Sequence, residues 1–196
     1  MPPPTDTREK ILESANRLLR SRGFNGFSYQ DIARPLGIRN AAVHYHFATK
    51  ADLAIAVIDD FRRILRERTE AFMSGHGDPL AELEGFISFS TAECRDENFL
   101  CPVGALSADF YSLPEPIRTA GQRLLDELLA WMTRVCAVGR EQGKFAFDGD
   151  PAAKAQQIVA TLQGARQLAR FRGPRAMHDV AGQLRLDLGI ERPGDE

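Results

Sequence analysis

The chain reads as an all-α protein. Apolar residues recur at helical spacing in one segment after another, and no segment alternates like a strand for more than a few residues. The breaks between segments fall at glycine, proline and Asp-Pro pairs, which end one helix and start the next.

In order, Ile11, Leu12, Ala15, Leu18 and Leu19 form the inward face of a first helix that ends at Gly23. Ser28 is a good N-cap for a second, and Asp31 is placed to reach back to the Ser28 N–H. Ile32, Ala33 and Leu36 supply its inward stripe, and Gly37 ends it where the chain must turn. Pro35 in the last turn lacks an N–H and crowds the Asp31 carbonyl, so a tight or bent ending is expected. Arg39 and Asn40 open a third helix anchored by Val43 and Phe47, which leaves Asn40, His44 and Tyr45 facing outward. A long helix follows from Lys50 to about Met73, with Leu53, Val57, Phe61, Ile64 and Leu65 on one side. Gly75-His76-Gly77-Asp78-Pro79 breaks it, Asp78 capping and Pro79 starting a helix to about Arg95. A shorter helix is expected from Pro102 to Tyr111, and a long amphipathic one from Ile117 to about Gly143. Asp150-Pro151 repeats the cap-plus-proline start for a helix to about Arg170, and the last runs from near Arg175 to Leu188, closed by Gly189.

A short helix held by two apolar anchors, with hydrogen-bonding groups along its exposed side, has the form of one that enters a major groove. Ser28, Ile32, Ala33, Gly37, Ile38, Val43, His46, Phe47, Lys50 and Leu53 stand at the spacing of a family signature, T-x-x-x-I-A-x-x-x-G-V-S-x-x-x-[LI]-Y-x-[HY]-F-x-x-K-x-x-L. On these residues the first quarter of the chain resembles the DNA-binding domain of the TetR-type (tetracycline-repressor-like) regulators. Arg39 stands for the usual Ser, His44 for the usual Tyr, and Pro35 is a further departure. The first two bear on which operator is read. The resemblance implies a three-helix helix-turn-helix head, residues 1–49, and a six-helix effector-binding and dimerisation body, residues 50–196. It also implies a homodimer joined through the last two helices. The small residues Ala152, Ala153, Ala155, Ala160, Gly164, Ala165 and Ala169 fit either such an interface or tight core packing.

Composition agrees with one DNA-binding end. The net charge is −2, but residues 1–53 hold eight Arg/Lys against five Asp/Glu, and the remaining residues hold 17 against 22. With no apolar run near 18 residues, a soluble chain rather than a membrane span is expected. No charged-then-apolar leader opens the chain. Cys94, Cys101 and Cys136 are an odd number at spacings that suit neither a disulfide framework nor a zinc site, so the cytoplasm is the expected compartment.

The resemblance makes Lys50 a phosphate contact, with Ser28, Tyr45 and His46 at further backbone-contacting positions. His46, three residues from Val43, equally suits a place inside the head. Base reading falls to Arg39, Asn40, Ala41 and His44, with Gln30 reaching from the second helix. Arg suits a guanine edge, Asn an adenine edge and the Ala methyl a thymine methyl. Double-stranded operator DNA and an unidentified small-molecule effector are the expected partners.

For the effector, Cys101 lies in a segment similar to G-C-x-V-G-x-L of a family branch in which some members respond to electrophiles, with Leu100 in place of the glycine. A cysteine just before Pro102 lies near a helix start, where the thiolate is favoured; a small buried core residue is the other reading. Phe89, Phe110 and Trp131 supply aromatic surface for a cavity or for plain core, and Asp109 and Arg166 are candidates for orienting a polar ligand group. A cysteine enzyme would need a base beside the thiol, and none of the histidines at 44, 46, 76 and 178 has a recognisable catalytic setting. No catalytic residue, metal or cofactor is expected.

Overall fold

The computed structural model describes the backbone of residues 4–96 and 100–190 and the side chains of residues 7–92 and 100–190. Among the described residues there are nine α-helices and no strand: α1 Pro4–Arg22, α2 Tyr29–Leu36, α3 Asn40–His46, α4 Lys50–Met73, α5 Pro79–Asp96, α6 Pro102–Ser107, α7 Glu115–Glu141, α8 Pro151–Arg172 and α9 Arg175–Asp187, with a 3-10 turn at Phe110–Ser112. None of these helices is long and apolar enough to cross a membrane. The chain divides into two compact units, one of residues 1–64 and 100–125, the other of residues 65–99 and 126–196.

The first unit is built on the periodic faces of α1 to α4. Ile11, Ala15 and Leu19 of α1, Ile32 and Ala33 of α2, Val43 of α3, and Leu53, Val57 and Ile58 of α4 are buried, with Ile117 and Leu124 of α7. Full burial of one such side chain contributes about 1.5–3 kcal/mol before ordering costs. α6 packs on α1. It is shorter than the Pro102–Tyr111 helix expected from the sequence. The helix stops at Ser107, and Asp109 adopts φ −95°, ψ 2°, from which the 3-10 turn departs. The physical reason is a tertiary bond of the Asp109 carboxylate, described below. α7 starts two residues earlier than expected, because Pro116 falls in its first turn, where the missing N–H leaves no bond unmade.

The second unit packs α5 against α8 and α9, and α8 against α9. Its core includes Leu83 and Ile87 of α5, Trp131, Met132, Val135 and Cys136 of α7, and Ile158, Leu162 and Ala165 of α8. Asp78 caps α5 as expected, accepting the Leu80 N–H at 3.0 Å, and its carboxylate also accepts Lys144 at 2.6 Å. Asp150, by contrast, stands at the start of α8 without a side-chain cap bond. After α7 the chain folds back so tightly that Phe145 covers Gly139, where an added Cβ would lie 2.2 Å from the ring. Arg185 of α9 then grips Glu84 of α5 through two bonds of 2.7 Å. The side chain of Cys94 lies outside the described residues.

Candidate nucleic-acid interface

Local bonds hold α2 and α3 in their turn. The Ser28 N–H donates to the Asp31 carboxylate at 2.8 Å and the Ser28 hydroxyl to the same oxygen at 2.6 Å, which holds the Asp31 carboxyl below its ordinary range. At the other end Gly37 takes φ +66°; its N–H donates to the Arg34 carbonyl at 3.2 Å, and the Ile38 N–H to the Ala33 carbonyl at 3.1 Å. That pair of bonds satisfies carbonyls the helix leaves open. It also accommodates Pro35, which could not have donated to Asp31. Tyr29 joins the two helices: its hydroxyl donates to the Phe47 carbonyl at 2.8 Å, and burial raises the phenol's pKa. Val43 and Phe47 are the buried anchors beneath α3.

The outer face carries the residues assigned to DNA. Ser28, Gln30, Arg39, Asn40, Ala41 and His44 are exposed, and Tyr45 is 85% exposed. His44 rests its ring edge-on against Tyr29 at 4.5 Å, with Nδ1 3.4 Å from the Ala48 carbonyl, so Nε2 is the ring nitrogen left for an outside partner. His46 is half-buried and meets the Tyr45 ring at 5.2 Å. Lys50 is half-buried: its ammonium donates to the Phe27 carbonyl and lies over the rings of Phe24 at 4.7 Å and Phe27 at 4.3 Å. Burial lowers its pKa, while Asp109 and Asp31 act in the opposite sense. The lysine thus braces the head from below while its charge sits one residue from the Ser28 cap.

The family model for the N-terminal part of bacterial regulatory proteins of the tetR family matches residues 11–57. That for the tetracyclin repressor-like C-terminal domain matches residues 80–184, more than half of the chain. The chain belongs to the TetR family. As a TetR-family protein it is a DNA-binding, ligand-responsive transcriptional regulator. It is similar to the HTH-type transcriptional regulator LmrA of Bacillus subtilis, 30% identical over 59% of this chain and 63% of LmrA. It is also similar to the HTH-type transcriptional repressor NemR of Escherichia coli K12, 24% identical over 85% of each chain. A TetR-family regulator from Agrobacterium tumefaciens superposes with a TM-score of 0.87 at 28% identity, covering 95% of this chain and 99% of the other.

In this TetR-family chain the effector candidates are divided between the two units. Phe89, Trp131 and Arg166 belong to the second unit, and Cys101, Asp109 and Phe110 to the first. Arg166 is buried on α8, its guanidinium 5.9 Å from the Phe89 ring, so those two are brought together. Trp131 is engaged elsewhere, edge-on to Phe86 and donating its indole N–H to Glu82 at 2.9 Å. Cys101 is half-exposed at the start of α6, whereas Cys136 is buried and its thiol pKa is pushed up to about 11 by burial. Phe110 is 47% exposed, and the Asp109 carboxylate accepts the Asn25 N–H from the turn between α1 and α2. An open cleft of about 380 Å³ in the first unit, flanked by Asp59, Arg62, Glu115 and Arg123, contains none of them.

Two features of the head escaped the sequence reading. Thr49 and Asp52 form a second capping box at the start of α4, with the Thr49 N–H and hydroxyl donating to Asp52 at 2.9 and 2.8 Å; the T-x-x-D spacing was its available signal. Arg8 lays its guanidinium over Phe47 at 5.0 Å, a cation beside the end of α3 that no sequence spacing announces.

Proposed function

We propose that this chain is a homodimeric repressor that reads its operator through α3 and leaves it when an effector binds. The observation that carries the reading is the outward polar face of α3, held rigid by buried Val43 and Phe47 and by the Tyr29 bond to the Phe47 carbonyl. Arg39, Asn40, Ala41 and His44 read bases, with Gln30 beside them; Ser28, Tyr45, His46 and Lys50 meet the backbone. One N–H of Lys50 is committed to Phe27, which leaves two for a phosphate near the α2 N-terminus. Such contacts set register and salt dependence, and base edges set sequence.

Dimerisation fits the apolar side chains left outside on the last two helices: Leu168 at 52%, Phe171 at 94% and Leu186 at 51% exposed. Large apolar groups left exposed mark interaction surfaces when they form a patch. A second copy also doubles the few base pairs one head can read. The head would comprise residues 1–49, and the remainder would serve effector binding and dimerisation. A regulator of chromosomal DNA works in the cytoplasm, and the regulators it resembles give no reason to assign a catalytic residue.

For the effector, Arg166 beside Phe89 suits a ligand with an anionic group and an apolar body, and Trp131 would add aromatic surface in the same unit. A second reading, covalent capture of an electrophile at Cys101, is favoured by that thiol's partial exposure. Effector binding would act by favouring head positions that no longer match successive major grooves. Selection of operators from a random DNA pool, repeated with Arg39→Ala, tests the base-reading assignment. An unchanged site profile would refute it.

A further inference from the structure

The turn between α1 and α2 is clasped by the segment Leu100–Ser112, some 80 residues away in sequence. At one end the Leu100 N–H donates to the Arg20 carbonyl at 3.3 Å and the Arg20 Nε–H returns to the Leu100 carbonyl at 2.8 Å. At the other, the Asn25 N–H donates to the Asp109 carboxylate at 3.2 Å and the Asn25 side-chain amide to the Ser112 hydroxyl at 2.9 Å. Ser112 in turn donates to the Asp109 carbonyl at 2.8 Å, so the 3-10 turn and the clasp are one network. Gly23 makes the approach possible. It takes φ +78°, and a Cβ there would lie 2.8 Å from the Asp109 carboxylate oxygen.

Asp109 sits where these contacts meet. Its carboxylate accepts the Asn25 N–H from the turn, and its charge favours the charged form of Lys50 at the start of α4. Lys50 holds the Phe27 carbonyl, one residue before the cap of α2. One carboxylate therefore addresses both the entry to the helix-turn-helix and the helix that leaves it. An N–H bonded to a charged acceptor is worth more than a neutral pair, about twice as much.

We propose that Asp109 is a positioning residue for operator binding: a latch by which the α6 segment fixes the helix-turn-helix, so that movement of residues 100–112 and occupancy of α3 by DNA are coupled. The inference rests on the DNA-binding reading above. It predicts reciprocity, because whatever the segment does to DNA affinity, DNA must do to the segment. Cys101 adjoins the Leu100–Arg20 pair and reports on the segment's opening.

The test is the rate at which N-ethylmaleimide labels Cys101 in the full chain, with and without saturating selected operator. In the wild type, DNA that holds the head in place should keep the clasp closed and slow labelling by about fivefold or more, the lower range of ordinary coupling. Asp109→Ala should still bind operator, with an unchanged salt slope because Asp109 touches no phosphate, but DNA should no longer slow its labelling. Asp109→Asn, which keeps an acceptor and loses the charge, should retain part of the effect, and Ser112→Ala likewise. Equal slowing in the wild type and Asp109→Ala, or none in the wild type, overturns the proposal. Should Asp109→Ala not fold by circular dichroism, wild-type slowing in both Asp109→Asn and Ser112→Ala overturns it equally. Failure of the wild type to bind any selected DNA would instead sink the functional reading, a separate result.

Discussion

Replacing Lys50 by methionine separates two jobs that the structure gives one side chain. Methionine keeps an unbranched apolar stem over Phe24 and Phe27 and removes the ammonium. Lost with it are the bond to the Phe27 carbonyl and the cation's attraction to both rings. A bond from a charged donor contributes about 1.5–3 kcal/mol, and each ring contact about 0.5–1 kcal/mol at an exposed site. Against this stands the cost of half-burying a charge, which is what lowers the lysine's pKa. A net loss of about 1–2 kcal/mol is expected, or a fall in melting temperature of roughly 2–8 °C for a chain of this length. On DNA, each phosphate neutralised contributes about 0.9 to the slope of log affinity against log salt, so a dimer losing two should flatten by about 1.8. Between 50 and 200 mM salt the wild type should then lose about tenfold more affinity than the variant. Thermal melts and salt-titrated fluorescence anisotropy read the two quantities independently. An unchanged melting temperature would refute the brace, and an unchanged slope would refute the phosphate contact.

Other substitutions probe the remaining assignments. Arg39→Ala and His44→Ala should each cost about 1–3 kcal/mol on the preferred site and relax base preference at distinct positions, read from selected-site profiles; uniform weakening on all sequences would contradict base reading. Cys136, its thiol pushed up to about 11 by burial, should hold about 0.1% thiolate at pH 8, against about a quarter for an unperturbed cysteine, and should label far more slowly than Cys101. Mass spectrometry showing Cys136 labelled first in the native protein would overturn that order. The Asp31 carboxyl is depressed by the Ser28 hydroxyl and N–H, so the native state binds its proton less tightly than the unfolded chain does. Its stabilisation is full above the ordinary aspartate range and lost as pH falls through the depressed native value; melts of wild type and Asp31→Ala should therefore converge in acid, and a constant gap would count against the capping box. Phe171→Asp should yield monomers by sedimentation equilibrium, where an intact dimer would place the interface elsewhere.

The order of helices was legible because punctuation and periodicity agree along the chain: Gly37, Asp78-Pro79 and Gly189 end or start helices where the apolar stripes change. The outward face of α3 was legible for the same reason, since two anchors at i and i+4 decide what faces solvent. What local pattern could not convey was set by partners distant in sequence. Ser107 ends α6 because Asp109 is drawn to Asn25, and nothing near Asp109 says so. Arg20 finds Leu100, and Arg8 finds Phe47, only once the helices are packed. Lys50 was readable as a cation next to the third helix, but its turn toward the Phe27 carbonyl depends on two aromatic rings from the loop before α2.

Selecting binding sites for the wild-type chain from a random double-stranded DNA pool tests the central claim most directly, because it asks of the whole protein whether two α3 helices read sequence together. The expected result is an inverted repeat whose half-site centres lie one helical turn apart, about 10 base pairs, or a multiple of that. Enrichment of a single asymmetric site, or no enrichment over the starting pool at physiological salt, would contradict it.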